Sequence, residues 1–185
     1  MSKKKIISSI LFVVFIVIVV AIFIVSSKIN EKITELPPNI ESIPKPDPEA
    51  IKEIQPTEED LAGKETPEHI YIYKIIFYSN KSLESLNKIG EAVSSVDKSL
   101  ESTLKRELAN ISYLYSELEG LETPTDALRD SHEYYKDTCL VHLKNAVDDM
   151  LLGIKNYDRT KIDIVVNHIE SFYKSTSEYT ENFTK

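Results

Sequence analysis

The sequence predicts an all-α protein, on three observations. Beyond Pro67, apolar residues recur at steps of three and four through four successive runs. No stretch alternates apolar with polar as a half-buried strand does. Near the N-terminus an apolar block is long enough to cross a bilayer as a helix. The expected architecture is an N-terminal transmembrane helix, a proline-rich stalk and an up-down four-helix bundle. A three-helix bundle with one long first helix is the alternative. The boundaries are a cytoplasmic tip at 1–5, a signal-anchor helix at 6–27, an acidic linker at 28–66 and the bundle at 67–185.

The anchor rests on Ile10–Val25, an unbroken apolar run, extended by Ile6–Ser9 to the roughly 30 Å of a hydrocarbon core. Its many β-branched residues favour a strand in water. In lipid a lone strand leaves its backbone unpaired, so the helix prevails. A cleaved signal peptide fits less well, because the run exceeds a usual apolar core and Val25-Ser26-Ser27 is a poor cleavage site. Lys3, Lys4 and Lys5 precede the block, and Lys28 and Lys32 follow it among Glu31 and Glu35. That bias favours a cytoplasmic N-terminus with the bundle outside, a single-pass protein of the cell membrane partnered by the lipid bilayer through 6–25.

In the linker Pro37, Pro38, Pro44, Pro46, Pro48 and Pro56 forbid a continuous helix or central strand. Five Lys against ten Asp and Glu give it a net charge of -5, so an extended spacer is expected.

The bundle opens at Thr66-Pro67-Glu68: a cap, a proline at the first helical position, and an acid near the positive helix end. The first run holds Ile72, Ile75, Ile76, Leu83, Leu86, Ile89, Val93 and Val96. The second holds Leu100, Leu104, Leu108, Ile111, Leu114, Tyr115 and Leu118, and Gly120 ends it. Thr123-Pro124 starts the third, through Leu128, Tyr135, Cys139, Leu143, Ala146, Val147, Met150 and Ile154. Asp158 caps the fourth, through Ile162, Val165, Val166, Ile169, Phe172, Tyr173, Thr176, Tyr179 and Phe183. Between the first two runs, Ser94–Ser99 is polar but lacks Gly and Pro. One helix over 67–119 would span about 80 Å and need a partner along its length, so the four-helix layout is preferred and the long-helix form implies a homodimer. Sustained periodicity also predicts coiled-coil packing.

Composition excludes several classes. The 185 residues hold 22 Lys+Arg against 30 Asp+Glu, a net charge of -8, which removes the electrostatic basis for nucleic-acid binding. Four glycines leave too little for a doubly wound nucleotide-binding fold, and one cysteine forbids an internal disulfide.

Leu121-Glu122-Thr123-Pro124, then Leu128 and His132, the Tyr157-Asp158 joint, and Ile162-x-x-Val165 with its repeat form a loose pattern over 67–185. On it the body resembles small secreted or membrane-anchored helical proteins of bacteria and archaea. The resemblance implies no catalytic or ligand residues. Such proteins are often held through a lipobox cysteine, from which this chain departs.

His132, Cys139, His142 and His168 are the candidate metal ligands. His132 lies two turns before Cys139, about 10 Å away along the helix, which is too far for one zinc ion. Cys139 and His142 share a helix face as a possible nucleophile pair, but no oxyanion donor is evident. Neither a metal nor a cofactor is expected, and the chain is expected not to be an enzyme. Tyr113 and Tyr115 close the second helix, while Tyr134 and Tyr135 lie early in the third. Together they form a candidate interaction patch at one end of the bundle. The functional expectation is a membrane-anchored extracytoplasmic module that contacts a protein or envelope partner. The alternative is a ligand-sensing bundle acting through a membrane partner.

Overall fold

The computed structural model describes residues 43–64, 66–95, 100–156 and 159–182. Two short helices come first, α1 (Pro48–Glu53) and α2 (Glu58–Leu61). Then follow α3 (Pro67–Ser95), α4 (Leu100–Glu119), α5 (Asp126–Tyr135), a π turn (Lys136–Leu140), α6 (Val141–Asn156) and α7 (Arg159–Glu181). No strand occurs among the described residues. The body is a five-helix bundle, α3 to α7, which corrects the expected four. The third run makes two α-helices joined by the π turn rather than one helix.

The long first helix is also excluded. The Tyr78 hydroxyl donates to Glu117 Oε2 at 3.3 Å, although the two are 39 residues apart. One straight helix would hold them about 58 Å apart, so α3 and α4 pack side by side as a hairpin. The polar stretch expected to make this joint falls partly outside the described residues, as does the Tyr157-Asp158 joint.

The transmembrane architecture is corrected as well. Among the described residues no helix is long and apolar enough to cross a membrane. The long helices are two-faced, and ion pairs such as Lys81–Glu84 and Lys144–Asp148 line their solvent sides. The expected anchor, 6–27, and the tip before it lie outside the described residues. The structure therefore gives no support to a bilayer partner, a single-pass address at the cell membrane or a membrane-anchored function. Coiled-coil packing does not hold either. The π turn breaks any seven-residue repeat, and the inward face of α3 carries Ser79, Ser82 and Ser85, all buried.

Local chemistry sets the helix ends. Thr66 caps α3 as the sequence implies, its Oγ1 accepting from the His69 amide at 3.2 Å. At α5 the cap is Thr125, accepting from the Leu128 amide, and the helix starts at Asp126. The Thr123-Pro124 start is thus displaced by two residues, with Pro124 just outside the helix. Gly120 closes α4, its amide donating to the Ser116 carbonyl at 2.9 Å.

Residues 43–64, expected as extended spacer, fold against the body. Asp47 caps α1 with Pro48 at its first position, where the missing N–H costs nothing. Thr57 and Asp60 form a reciprocal capping box at α2. Gly63 turns the chain at a φ of 78°, open to glycine. Ile54 is buried in the main core and Ile43 packs on its edge. Gln55 bonds the Tyr113 hydroxyl, and Lys64 Nζ sits 4.2 Å from the centre of the Tyr73 ring.

The core runs the length of the bundle. Ile75, Leu108, Ile111, Leu114, Leu118, Leu143, Ala146 and Phe172 are fully enclosed. The wider π turn brings the consecutive Cys139 and Leu140 both inward, beside α7.

Candidate functional site

One hydrogen-bonded group of the core sits at the end where α3 begins, α4 and α7 finish and α5 starts, while the buried Ser82, Ser85, Glu107 and Asn110 lie further along α3 and α4. Tyr71 lies on the inward stripe of α3 with Ile75 and Tyr78, spaced by four and three. Its hydroxyl is 2.9 Å from His132 Nδ1 on α5 and 3.0 Å from the Tyr179 hydroxyl on α7. Ser131 donates to Tyr179 at 3.1 Å. On the far side of the imidazole, His132 Nε2 lies 3.3 Å from the Glu119 carbonyl at the end of α4.

Proton positions follow from one fixed point. A carbonyl only accepts, so Nε2 carries a hydrogen. In the neutral ring Nδ1 then accepts, and Tyr71 must donate to it. Tyr71 in turn accepts from Tyr179, and Tyr179 from Ser131. The run Ser131, Tyr179, Tyr71, His132, Glu119 is consistently ordered and ties four helices together. Burial pushes the Tyr71 hydroxyl well above its ordinary range, reinforced by the Tyr179 bond. Burial pulls His132 below the usual imidazole value, only partly opposed by its bond to the Glu119 carbonyl.

Tyr135 stands behind the histidine. It is fully enclosed, stacks near the His132 ring at 6.1 Å between centroids and lies 4.9 Å from the Tyr179 ring. Its hydroxyl meets Ser79 Oγ at 3.3 Å, which binds α5 to α3. Burial raises its hydroxyl too. One turn on, Cys139 Sγ lies 3.6 Å from Thr138 Oγ1 and faces the hydroxyls of Ser175 and Thr176 on α7. Burial pushes the thiol up, away from the nucleophilic thiolate.

The candidate metal ligands are dispersed. His132 belongs to the tyrosine chain and Cys139 to the hydroxyl cluster. His142 faces His168 with ring centroids 6.3 Å apart. His168 Nε2 is 3.3 Å from Asp149 Oδ2, while Asp149 Oδ1 takes Lys161 at 2.8 Å. Among the described residues no three His, Cys, Asp or Glu groups converge as a metal ion requires. The Cys139–His142 pair is not formed either, since each faces a different neighbour.

The tyrosine patch divides in the same way. Tyr134 is 61% exposed, whereas the adjacent Tyr135 is fully buried. Tyr113 is half-buried under Gln55, and Tyr115 donates to Glu119 at 3.2 Å. The four do not form one open face. Tyr71, Tyr179, Ser131 and Ser79 carry the site that was not foreseen. Their signal is a polar group recurring inside an apolar stripe, visible at Tyr71 and Ser79 among Ile72, Ile75 and Leu83.

Against this geometry the comparisons add no relative: no family model, no curated protein and no solved structure matches the chain. It is a small all-α helical-bundle protein without a family assignment.

Proposed function

We propose that the chain is a non-enzymatic structural module, whose polar interior serves to lock helices together rather than to transform a substrate. One observation carries this reading. The groups best suited to acid–base or nucleophilic work, His132, Tyr71, Tyr135 and Cys139, are each 4% exposed or less. Tyr71, His132 and Tyr135 are engaged in bonds between helices, and Cys139 lies among the hydroxyls of Thr138, Ser175 and Thr176. Catalysis needs such a group within reach of a substrate atom, and burial keeps these four from one. The loose pattern at Leu121–Pro124 supports a place among the small helical proteins of bacteria and archaea.

The test sets the full-length chain against chromogenic ester, phosphoester, glycoside and amide substrates, beside its His132→Gln variant. The expected result is no turnover that distinguishes the two, with a large loss of unfolding stability in the variant. Turnover present in the parent and lost in a folded variant would overturn the reading.

A further inference from the structure

While His132 is neutral the chain of hydroxyls runs in one direction, and that gives it a use beyond holding helices. Among the described residues, the titratable and charged groups facing His132 come from α3, α5, the π turn and α7. Tyr71 comes from α3, and α4 gives the Glu119 carbonyl, while the Glu119 carboxylate holds Tyr115 instead. From α5 come Tyr135 and Glu133, from the π turn Lys136, and from α7 Tyr179 through Tyr71. Lys136 pairs with Glu133 at 2.8 Å, so the acid nearest in sequence is occupied. Among the described residues no carboxylate bonds the ring.

We infer that His132 is a proton-operated catch: protonation at Nδ1 opens the end of the bundle where α3 begins and α7 finishes. The step adds one proton from solvent to the Nδ1 lone pair and breaks no covalent bond. With that proton in place, Nδ1–H and the Tyr71 hydroxyl hydrogen meet head-on. Tyr71 must turn to Tyr179, Tyr179 to Ser131, and Ser131 to solvent at the rim. Reversal keeps the hydrogen bonds but leaves an imidazolium among three tyrosine rings with no bonded anion. Opening gives that charge to water. The open form takes up the proton at the ordinary imidazole value and the closed form only at lower pH. Between the two, the open fraction grows about tenfold for each pH unit of acidification.

Hydrogen exchange of the full-length chain, at pH 8, 6.5 and 5 and corrected for intrinsic rates, reads this directly. The expected result is a loss of protection around Tyr179 and in the first turns of α3, about tenfold per unit below pH about 6.5, while amides around Leu108, which need global opening, stay far more protected than those at this end. In His132→Gln the pH step disappears, whatever the starting protection. Tyr71→Phe removes the donor that favours the neutral ring, so the closed form takes up its proton at higher pH and the loss starts at the same pH but levels off sooner and is smaller. A step that persists in His132→Gln, one of undiminished size in Tyr71→Phe, or flat protection from pH 8 to 5 overturns the inference.

Discussion

Tyr71 and Tyr179 are 108 residues apart in the chain, and their hydroxyl oxygens are 3.0 Å apart. That bond joins the opening turns of α3 to the closing turns of α7, so the two ends of the bundle domain are tied to each other. Tyr71 also satisfies His132 Nδ1, and phenylalanine in its place leaves a buried acceptor without a donor. Tyr71→Phe is therefore expected to cost about 1–3 kcal/mol, more than an ordinary hydrogen bond contributes. Tyr179→Phe spares His132 but removes two hydroxyl bonds, to Tyr71 and from Ser131, and is expected to cost less, about 1–2 kcal/mol. Urea midpoints of the two variants, measured at pH 8 with unchanged slopes, decide it. Equal costs would mean that the imidazole acceptor is not what makes Tyr71 matter.

Leu114 and Leu152 separate packing from mere hydrophobicity. Leu114 is fully enclosed on α4 and Leu152 is 44% exposed on α6. Leu114→Ala removes apolar contact and leaves a void, for an expected loss of about 2–5 kcal/mol. Leu152→Ala is expected to fall within about 0.5 kcal/mol of the parent. Thermal unfolding of the pair checks the burial pattern, and similar losses at both positions would refute it.

Periodicity reveals the helices because an inward stripe must be apolar at steps of three and four, as Ile72, Ile75, Leu86 and Ile89 are. The same stripe hides the π turn. Tyr135, Cys139, Leu143 and Ala146 keep helical spacing, and the additional inward Leu140 resembles any flanking apolar residue. The hairpin between α3 and α4 was also hard to read, because Ser94–Ser99 offers no Gly or Pro and only a contact such as Tyr78–Glu117 decides it. At the site, pairing polar groups from helices far apart in sequence depends on bundle topology. Tyr71, His132 and Tyr179 therefore could not be joined from spacing alone. Tyr134 and Tyr135 show the reverse error: adjacent tyrosines point about 100° apart on a helix, so one is exposed and the other is core.

His142 gives a pH prediction of its own. Its Nδ1 is buried without a hydrogen-bond partner, and burial together with the neighbouring His168 holds its pKa below the ordinary value. For a histidine so depressed, the unfolded chain binds the proton first as pH falls. Stability is then unaffected above the unfolded value, declines from about pH 6.5 downward, and levels off below the folded value. His142→Leu removes both the orphan nitrogen and the titration. It is expected to leave stability at pH 8 unchanged or up to about 1 kcal/mol higher, and to make the decline between about pH 6.5 and 5 shallower, the part owed to His132 remaining. Denaturant midpoints across that range test it, and an equally steep decline in the variant would assign the slope elsewhere.

The segment before the bundle is held by few contacts, which makes it separable. Among the described residues Ile54 is its buried side chain, Ile43 packs at the core edge, Gln55 reaches Tyr113 and Lys64 sits over the Tyr73 ring. α1 and α2 are six and four residues long, too short to persist once undocked. Ile54→Asp places a carboxylate where the isoleucine was buried, so the segment is expected to release while α3 to α7 stay folded. Limited proteolysis then cleaves between residues 43 and 64 at least about tenfold faster, since local opening governs the rate when it precedes global unfolding. The urea midpoint of the bundle is expected to move little, because Ile75, Leu108 and Phe172 keep their partners. A variant that loses the bundle and the segment together would show that residues 43–64 belong to the same cooperative unit as the helices they cover.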